Sequence, residues 1–291
     1  MGDYRIVVDS TADLPIEYIK EHNLSMMSLS YIVDGETFSG TTGKEIEPHD
    51  FYERVRGGMM PTTSQINPQQ AVETFNEIGK ETKQMLVISL SSGISGSYNS
   101  VRIGAEEYME DNADSKIIVV DSLCASMGEG LLVYKAVENM EAGMSLEENA
   151  LWIEQHKKNI IHCFTVDDLF HLYRGGRVKK SAAIVGSIVN LKPVLHVDNE
   201  GHLNNLFTVR GRKKSLKALV DYMEEHVGSY SGKNDIVFIS HADAKEDAEY
   251  VAAEVKNRFG IENCMINYID PTVGTHAGPG TVALFLLGDE R

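Results

Sequence analysis

Met85-Leu86-Val87-Ile88-Ser89-Leu90-Ser91-Ser92-Gly93-Ile94-Ser95-Gly96-Ser97-Tyr98-Asn99-Ser100 reads as an apolar strand, a glycine–serine turn and the opening of a helix. Further short apolar strands are predicted over 4–8, 26–33 and 117–120. Helices are predicted over 15–22, 48–56, 68–80, 97–109 and 129–140, with Pro15, Pro48 and Pro68 in their first turns. Strands alternating with amphipathic helices argue for an α/β fold whose N-terminal half is a mostly parallel open sheet with flanking helices. The pentapeptide Ile-Val-Val-Asp-Ser occurs at 6–10 and again at 118–122. Two strands ending in Asp-Ser belong on the same sheet edge, where such folds place ligands.

The second half changes character. Segments 192–197 and 203–210 flank Asp198-Asn199-Glu200-Gly201 as a hairpin. A helix (214–227), a strand (235–240), a helix (245–259), a strand (264–269) and a last strand (282–287) follow. This is an α+β pattern with antiparallel pairs. The boundary is placed after the helix around Trp152, giving domains of 1–160 and 161–291.

Composition narrows the function. With a formal net charge of -16 over 291 residues, the chain is repelled by nucleic acid and anionic membranes. Its three cysteines are widely spaced and its histidines scattered, so a reduced, cytoplasmic protein without disulfide, zinc site or cofactor is expected. Neither a signal peptide nor a membrane-spanning run is visible, and Ile6 stands where a myristoylation signal needs Ser or Thr. Basic residues cluster at Arg174, Arg177, Lys179 and Lys180, and again at Arg210, Arg212, Lys213, Lys214 and Lys217. These are solvated helix ends or a local patch for an acidic partner.

Four segments could carry chemistry. Ser91 to Ser97 holds four serines and two glycines, more than a helix cap needs. Hydroxyls, close backbone approach and helix-start N–H groups make an anion site. Thr62-Thr63-Ser64-Gln65 either caps the next helix or holds a ligand. Gly274-Thr275-His276-Ala277-Gly278-Pro279-Gly280 reads as an irregular loop whose histidine is structural or functional. Leu172-Tyr173-Arg174-Gly175-Gly176-Arg177 is a helix C-cap with dipole-matching cations, or a display of two guanidiniums. No P-loop or dinucleotide fingerprint occurs. Gly93-Ile94-Ser95-Gly96-Ser97 departs from a nucleophile elbow at its last position, which argues against a Ser95–His276 hydrolase or acyltransferase.

As a set these motifs resemble the DegV family: Asp9-Ser10-Thr11, Thr63-Ser64-Gln65, Ser92 to Tyr98, Asp121-Ser122, Gly175-Gly176-Arg177, Val209 to Arg212 and His276 to Gly280. They run in family order over nearly the whole chain. One departure is that Ile66-Asn67 precede Pro68, where the family often has Pro directly after Thr-Ser-Gln. The resemblance implies a non-enzymatic carrier that binds a single long-chain fatty acid between its two domains. It implies presentation of that acid to a separate ATP-dependent fatty acid kinase subunit, which converts it to an acyl phosphate. By resemblance Thr63 and Ser95 hold the carboxylate with His276 nearby, and Thr62, Ser64 and Gly96 flank them. Arg177 and Arg210 are expected at the ligand mouth or the kinase-facing surface, serving the acidic partner rather than the lipid. Burying about fourteen methylenes at about 0.8 kcal/mol each gives a gross gain on the order of 11 kcal/mol.

Overall fold

The computed structural model describes residues 4–40, 43–167, 169–179 and 190–291. Lys180 of the first basic cluster lies outside them. In chain order the strands are β1 (Arg5–Asp9), β2 (Ser25–Met27), β3 (Ser30–Val33), β4 (Glu36–Phe38), β5 (Thr62–Ser64), β6 (Gln84–Ser89), β7 (Lys116–Asp121), β8 (Ile160–Thr165), β9 (Leu191–Val197), β10 (Leu203–Arg210), β11 (Ile236–His241), β12 (Asn263–Tyr268) and β13 (Val282–Leu287). The described helices are α1 (Ile16–Glu21), α2 (Pro48–Arg56), α3 (Pro68–Ile78), α4 (Ser97–Asp111), α5 (Met127–Glu141), α6 (Leu146–His156), α7 (Phe170–Arg174), α8 (Arg212–His226), α9 (Lys245–Phe259) and α10 (Pro271–Ala277).

The strands form three sheets. A parallel sheet runs β2-β1-β6-β7, a mixed sheet β10-β9-β8-β13-β11-β12, and a small antiparallel sheet β4-β3-β5. The two copies of the pentapeptide lie in β1 and β7, on either side of β6, and all three strands end on one edge. Helix α5 lies between the two larger sheets. Its residues 127–133 are all buried, and Leu131, Leu132 and Val133 share one apolar cluster with Ile6 of β1 and Phe285 of β13. Burial on every side of its first half suits this central place.

Several sequence expectations need correction. The strand expected over 26–33 breaks at Ser28-Leu29, so β2 joins the parallel sheet and β3 the small one. Thr62-Thr63-Ser64 does not cap α3 but forms β5, paired with β3. The cap is Asn67, whose side chain accepts from Gln70 N while the Gln70 side chain accepts from Asn67 N, each at 2.9 Å. Pro68 opens α3 as expected, and the buried Ile66 anchors the approach, so the departure from the family pattern is a well-formed helix start. Pro15 precedes α1 rather than opening it.

Strand β8, fully buried at the centre of the mixed sheet, was absent from the predicted strands. The expected loop from Gly274 is helical as far as Ala277. Asp270 caps this helix by accepting from Thr272 N at 2.6 Å, and Pro271 opens it. Gly274 belongs there because a Cβ would lie 2.1 Å from the Tyr52 hydroxyl.

Candidate functional site

A cavity of about 340 Å³ lies where the edge of the parallel sheet meets α7, α10 and the mixed sheet. This is the size range of small-molecule sites. Its body is apolar, with Leu29, Leu90, Phe164, Leu172, Val273 and Phe285 among the lining side chains.

One end gathers Thr63 and Ser64 from β5, Ser95 from the β6–α4 turn, His276 from the last turn of α10 and Arg177 from the segment after α7. Thr63 Oγ1 is 2.9 Å from His276 Nε2. Burial first, then the charges of Arg177 and Arg174 and the neighbouring His171, push His276 down to about 3, so its ring is neutral. Its Nδ1 has no hydrogen-bond partner among the described residues. Gly175 is what admits this atom, since a Cβ there would lie 2.1 Å away. In the tautomer with its proton on Nε2, His276 donates to Thr63 Oγ1. The Thr63 hydroxyl proton is then free for a ligand.

Arg177 reaches this end because α7 stops in a glycine cap. Gly176 N donates to Tyr173 O and Arg177 N to Leu172 O, both at 2.9 Å, with Gly176 left-handed at φ 75°. The guanidinium donates through Nε to Ile94 O at 3.2 Å and through Nη1 to Gly175 O. Burial alone holds its pKa below the usual arginine value, and no carboxylate among the described residues forms an ion pair with it. A half-buried, unpaired cation beside hydroxyls and a neutral imidazole is an environment for a carboxylate. Of the two places expected for Arg177, the ligand mouth or a kinase-facing surface, the structure puts its side chain in the cavity wall.

The remaining candidates separate. Ser95 lines the cavity, with Oγ 3.0 Å from Ser97 Oγ. The helix-start amides contribute less than the sequence suggested, because Ser95 N donates to Ser91 O at 3.1 Å and Ser97 N to Ser95 Oγ at 3.2 Å. Thr62 is exposed and outside the lining. Gly96 is outside it too: a Cβ there would lie 2.3 Å from Gln65 Oε1. Gly93 likewise makes room for the β9–β10 hairpin, whose Gly201 O would be 2.8 Å from an added Cβ. These glycines serve protein–protein approach, not ligand approach. Arg210 is exposed at the end of β10, away from the cavity.

The repeated Asp-Ser strand ends hold the serine turn from both sides. Asp9 accepts from Leu90 N at 2.8 Å, and Asp121 accepts from Ser92 N at 3.1 Å. Sequence reasoning did not single out Leu172, Phe164, Phe285 or Ser126 as cavity residues. The repeat was the one signal pointing to the sheet edge that carries Thr11, Ala125 and Ser126.

Among the described residues no helix is long and apolar enough to cross a membrane, and no group of three or more His, Cys, Asp or Glu side chains could hold a metal ion.

The fold and cavity define an α/β protein with an internal, carboxylate-compatible pocket. The profile described as "uncharacterised protein, DegV family" matches residues 3–289, and the chain belongs to that family. A DegV domain-containing protein of Clostridium perfringens is 38% identical over 291 residues, which covers 100% of this chain and 99% of the relative. The crystal structure of DegV from Bacillus subtilis, described as a fatty acid binding protein, is 29% identical with a TM-score of 0.83, covering 99% of this chain and 100% of that one. The fatty acid kinase B3 protein of Streptococcus pneumoniae, loaded with linoleic acid, shares the fold at 21% identity and a TM-score of 0.83, covering 98% of this chain and 99% of that one.

Proposed function

We propose that this protein binds one long-chain fatty acid, with the alkyl chain in the cavity and the carboxylate at the Thr63–Ser95–His276–Arg177 end. The observation that carries this reading is the unpaired Arg177 guanidinium in the wall of a cavity that is otherwise apolar. A dry alkyl tunnel with one cationic, hydroxyl-rich end suits an amphiphile with an anionic head. The fatty-acid binding described for the Bacillus subtilis relative supports it. The test is denaturing extraction of the purified protein followed by lipid mass spectrometry. One acyl chain per protein is expected; no acyl lipid, together with no binding of added palmitate or oleate, overturns the reading.

The finer proposal is that the bound acid is presented to a separate ATP-dependent kinase subunit in the cytoplasm and leaves as an acyl phosphate. Arg210, Lys213 and Lys214 are exposed on one corner of an otherwise acidic protein, which suits docking of an acidic partner. Arg177 beside the carboxylate would offset charge as a phosphoryl group approaches. We keep the boundary between the two domains near residue 160, where β8 begins the mixed sheet.

The geometry gives little support to a Ser95–His276 hydrolase. His276 Nε2 contacts Thr63 rather than Ser95, and Nδ1 has no orienting carboxylate. An imidazole with its pKa near 3 is a weak base.

A further inference from the structure

We infer that the cavity holds a second polar subsite, at Thr11 and Ser126, which takes a hydroxyl group carried on the acyl chain, so that hydroxy fatty acids are ligands of this protein. The inference rests on the fatty-acid reading and adds a substrate class to it. Thr11 follows β1 and Ser126 precedes α5, and both side chains line the cavity although neither is accessible from outside.

Each of these hydroxyls is turned toward a buried carboxyl group. Thr11 Oγ1 donates to Asp9 and lies 3.4 Å from Glu129 Oε2; Ser126 Oγ donates to Asp13 and lies 2.7 Å from Ser240 Oγ. The neighbouring lining groups behave alike. Thr272 donates to Asp270, and Thr281 donates to Ala277 O and Gly278 O at 3.0 and 2.9 Å. His162 Nε2 accepts from Ala125 N at 3.2 Å. The hydroxyls of this wall thus have acceptors for their hydrogens within the protein, which leaves oxygen lone pairs for a ligand. None of these lining residues is cationic; Arg177 belongs to the group around Thr63 and His276.

Two further observations concern this wall and the residues behind it, where Glu129 lies outside the lining. Glu129 is fully buried, and its Oε1 finds no hydrogen-bond partner among the described residues. Such an orphaned acceptor in a native core calls for a physical account. Ser126 also holds φ 55° and ψ -145°, a conformation that glycine adopts freely and other residues adopt under constraint.

An acceptor-only wall discriminates by chemistry. A carboxylate is repelled, a ketone has no proton to give, and an alcohol donates. In an apolar tunnel, a chain hydroxyl loses its water and gains no partner, weakening binding by about tenfold or more. The experiment titrates the lipid-free full-length protein with stearate, a series of monohydroxystearates spanning the chain, and the matching ketostearates. At least one hydroxy isomer is expected to bind within about threefold of stearate, with its keto counterpart about tenfold weaker. Ser126→Ala should lower the ratio of that isomer's affinity to stearate's by about tenfold. If Ser126→Ala does not fold, the wild-type series decides alone. The inference is overturned if every hydroxy isomer binds about tenfold or more weaker than stearate, or if hydroxy and keto analogues bind alike. Failure of stearate itself to bind overturns the fatty-acid reading instead.

Discussion

Two groups of hydroxyls line the cavity, and they differ in what stands behind them. Thr63 and Ser95 are accompanied by a neutral imidazole and an unpaired guanidinium, whereas Thr11 and Ser126 are backed by Asp9, Asp13 and Glu129. A hydroxyl takes its role from its second partner. With a donor behind it, its own proton is released toward the ligand; with a carboxyl behind it, the proton is withdrawn and a lone pair is left. The comparison teaches that the count of serines and threonines around a pocket says little about its polarity. On the proposed reading the backing groups would orient the fatty acid, with the head toward Arg177 and the chain along the rest.

The comparison can be broken most directly at Arg177. Arg177→Glu puts a like charge beside the carboxylate and should weaken fatty-acid binding by about a hundredfold or more, read by equilibrium titration. Retained affinity would move the head group elsewhere. Next in size, Thr63→Val and Ser95→Ala each remove a hydrogen bond to a charged group. Each should weaken binding by roughly ten- to a hundredfold while the melting temperature of the lipid-free protein stays near wild type.

The two groups of the site that titrate in opposite senses sharpen the contrast further. His276, pushed down to about 3, binds its proton less readily folded than unfolded. Below about 6.5 the unfolded chain takes up that proton, and stability falls with pH. Asp270, pushed up mainly by burial to about 6, has the opposite sign: its favourable contribution at low pH is lost as pH rises from about 3.9 through 6. Denaturant titrations between about pH 4 and 8 should therefore show a smaller loss of stability on acidification below about pH 6.5 in His276→Gln and a larger one below about pH 6 in Asp270→Asn, each by on the order of 1–2 kcal/mol. Identical pH profiles in both variants and wild type would contradict these assignments. The smallest effect on binding is expected at Arg210. Arg210→Glu should leave fatty-acid affinity within about twofold, yet slow acyl-phosphate formation in a reconstituted kinase assay whose wild-type rate falls with salt.

Much of this fold was legible in the sequence because periodicity and punctuation agreed. Pro48 and Pro68 open helices where they were expected to, and the strand over 282–287 and the helix over 245–259 match their predicted ends. The segment Gly274 to Gly280 misled because glycines there signal a loop, while Gly274 is required inside α10 by the Tyr52 hydroxyl. Strand β8 was missed where His162 interrupts the apolar run; that ring is buried and satisfied by Ala125 N and Ile160 O, which no local pattern encodes.

The site was legible as a list of hydroxyls and a histidine, but not as a geometry. Arg177 sits next to a recognisable Gly-Gly cap. Only the turn of that cap, together with Ile94 O on a loop 83 residues away in sequence, carries its guanidinium into the cavity rather than to the surface. Gly93 and Gly96 were assigned to ligand approach, and their tight neighbours are Gly201 and Gln65.

The orientation of the bound acid tests the account most directly, and a crystal structure of the protein with stearate measures it. The carboxylate is predicted within hydrogen-bond distance of Thr63 and Ser95 with the Arg177 guanidinium beside it, and the alkyl chain running past Phe164 and Phe285. A carboxylate at Thr11 and Ser126, or a chain lying outside the cavity, would contradict it.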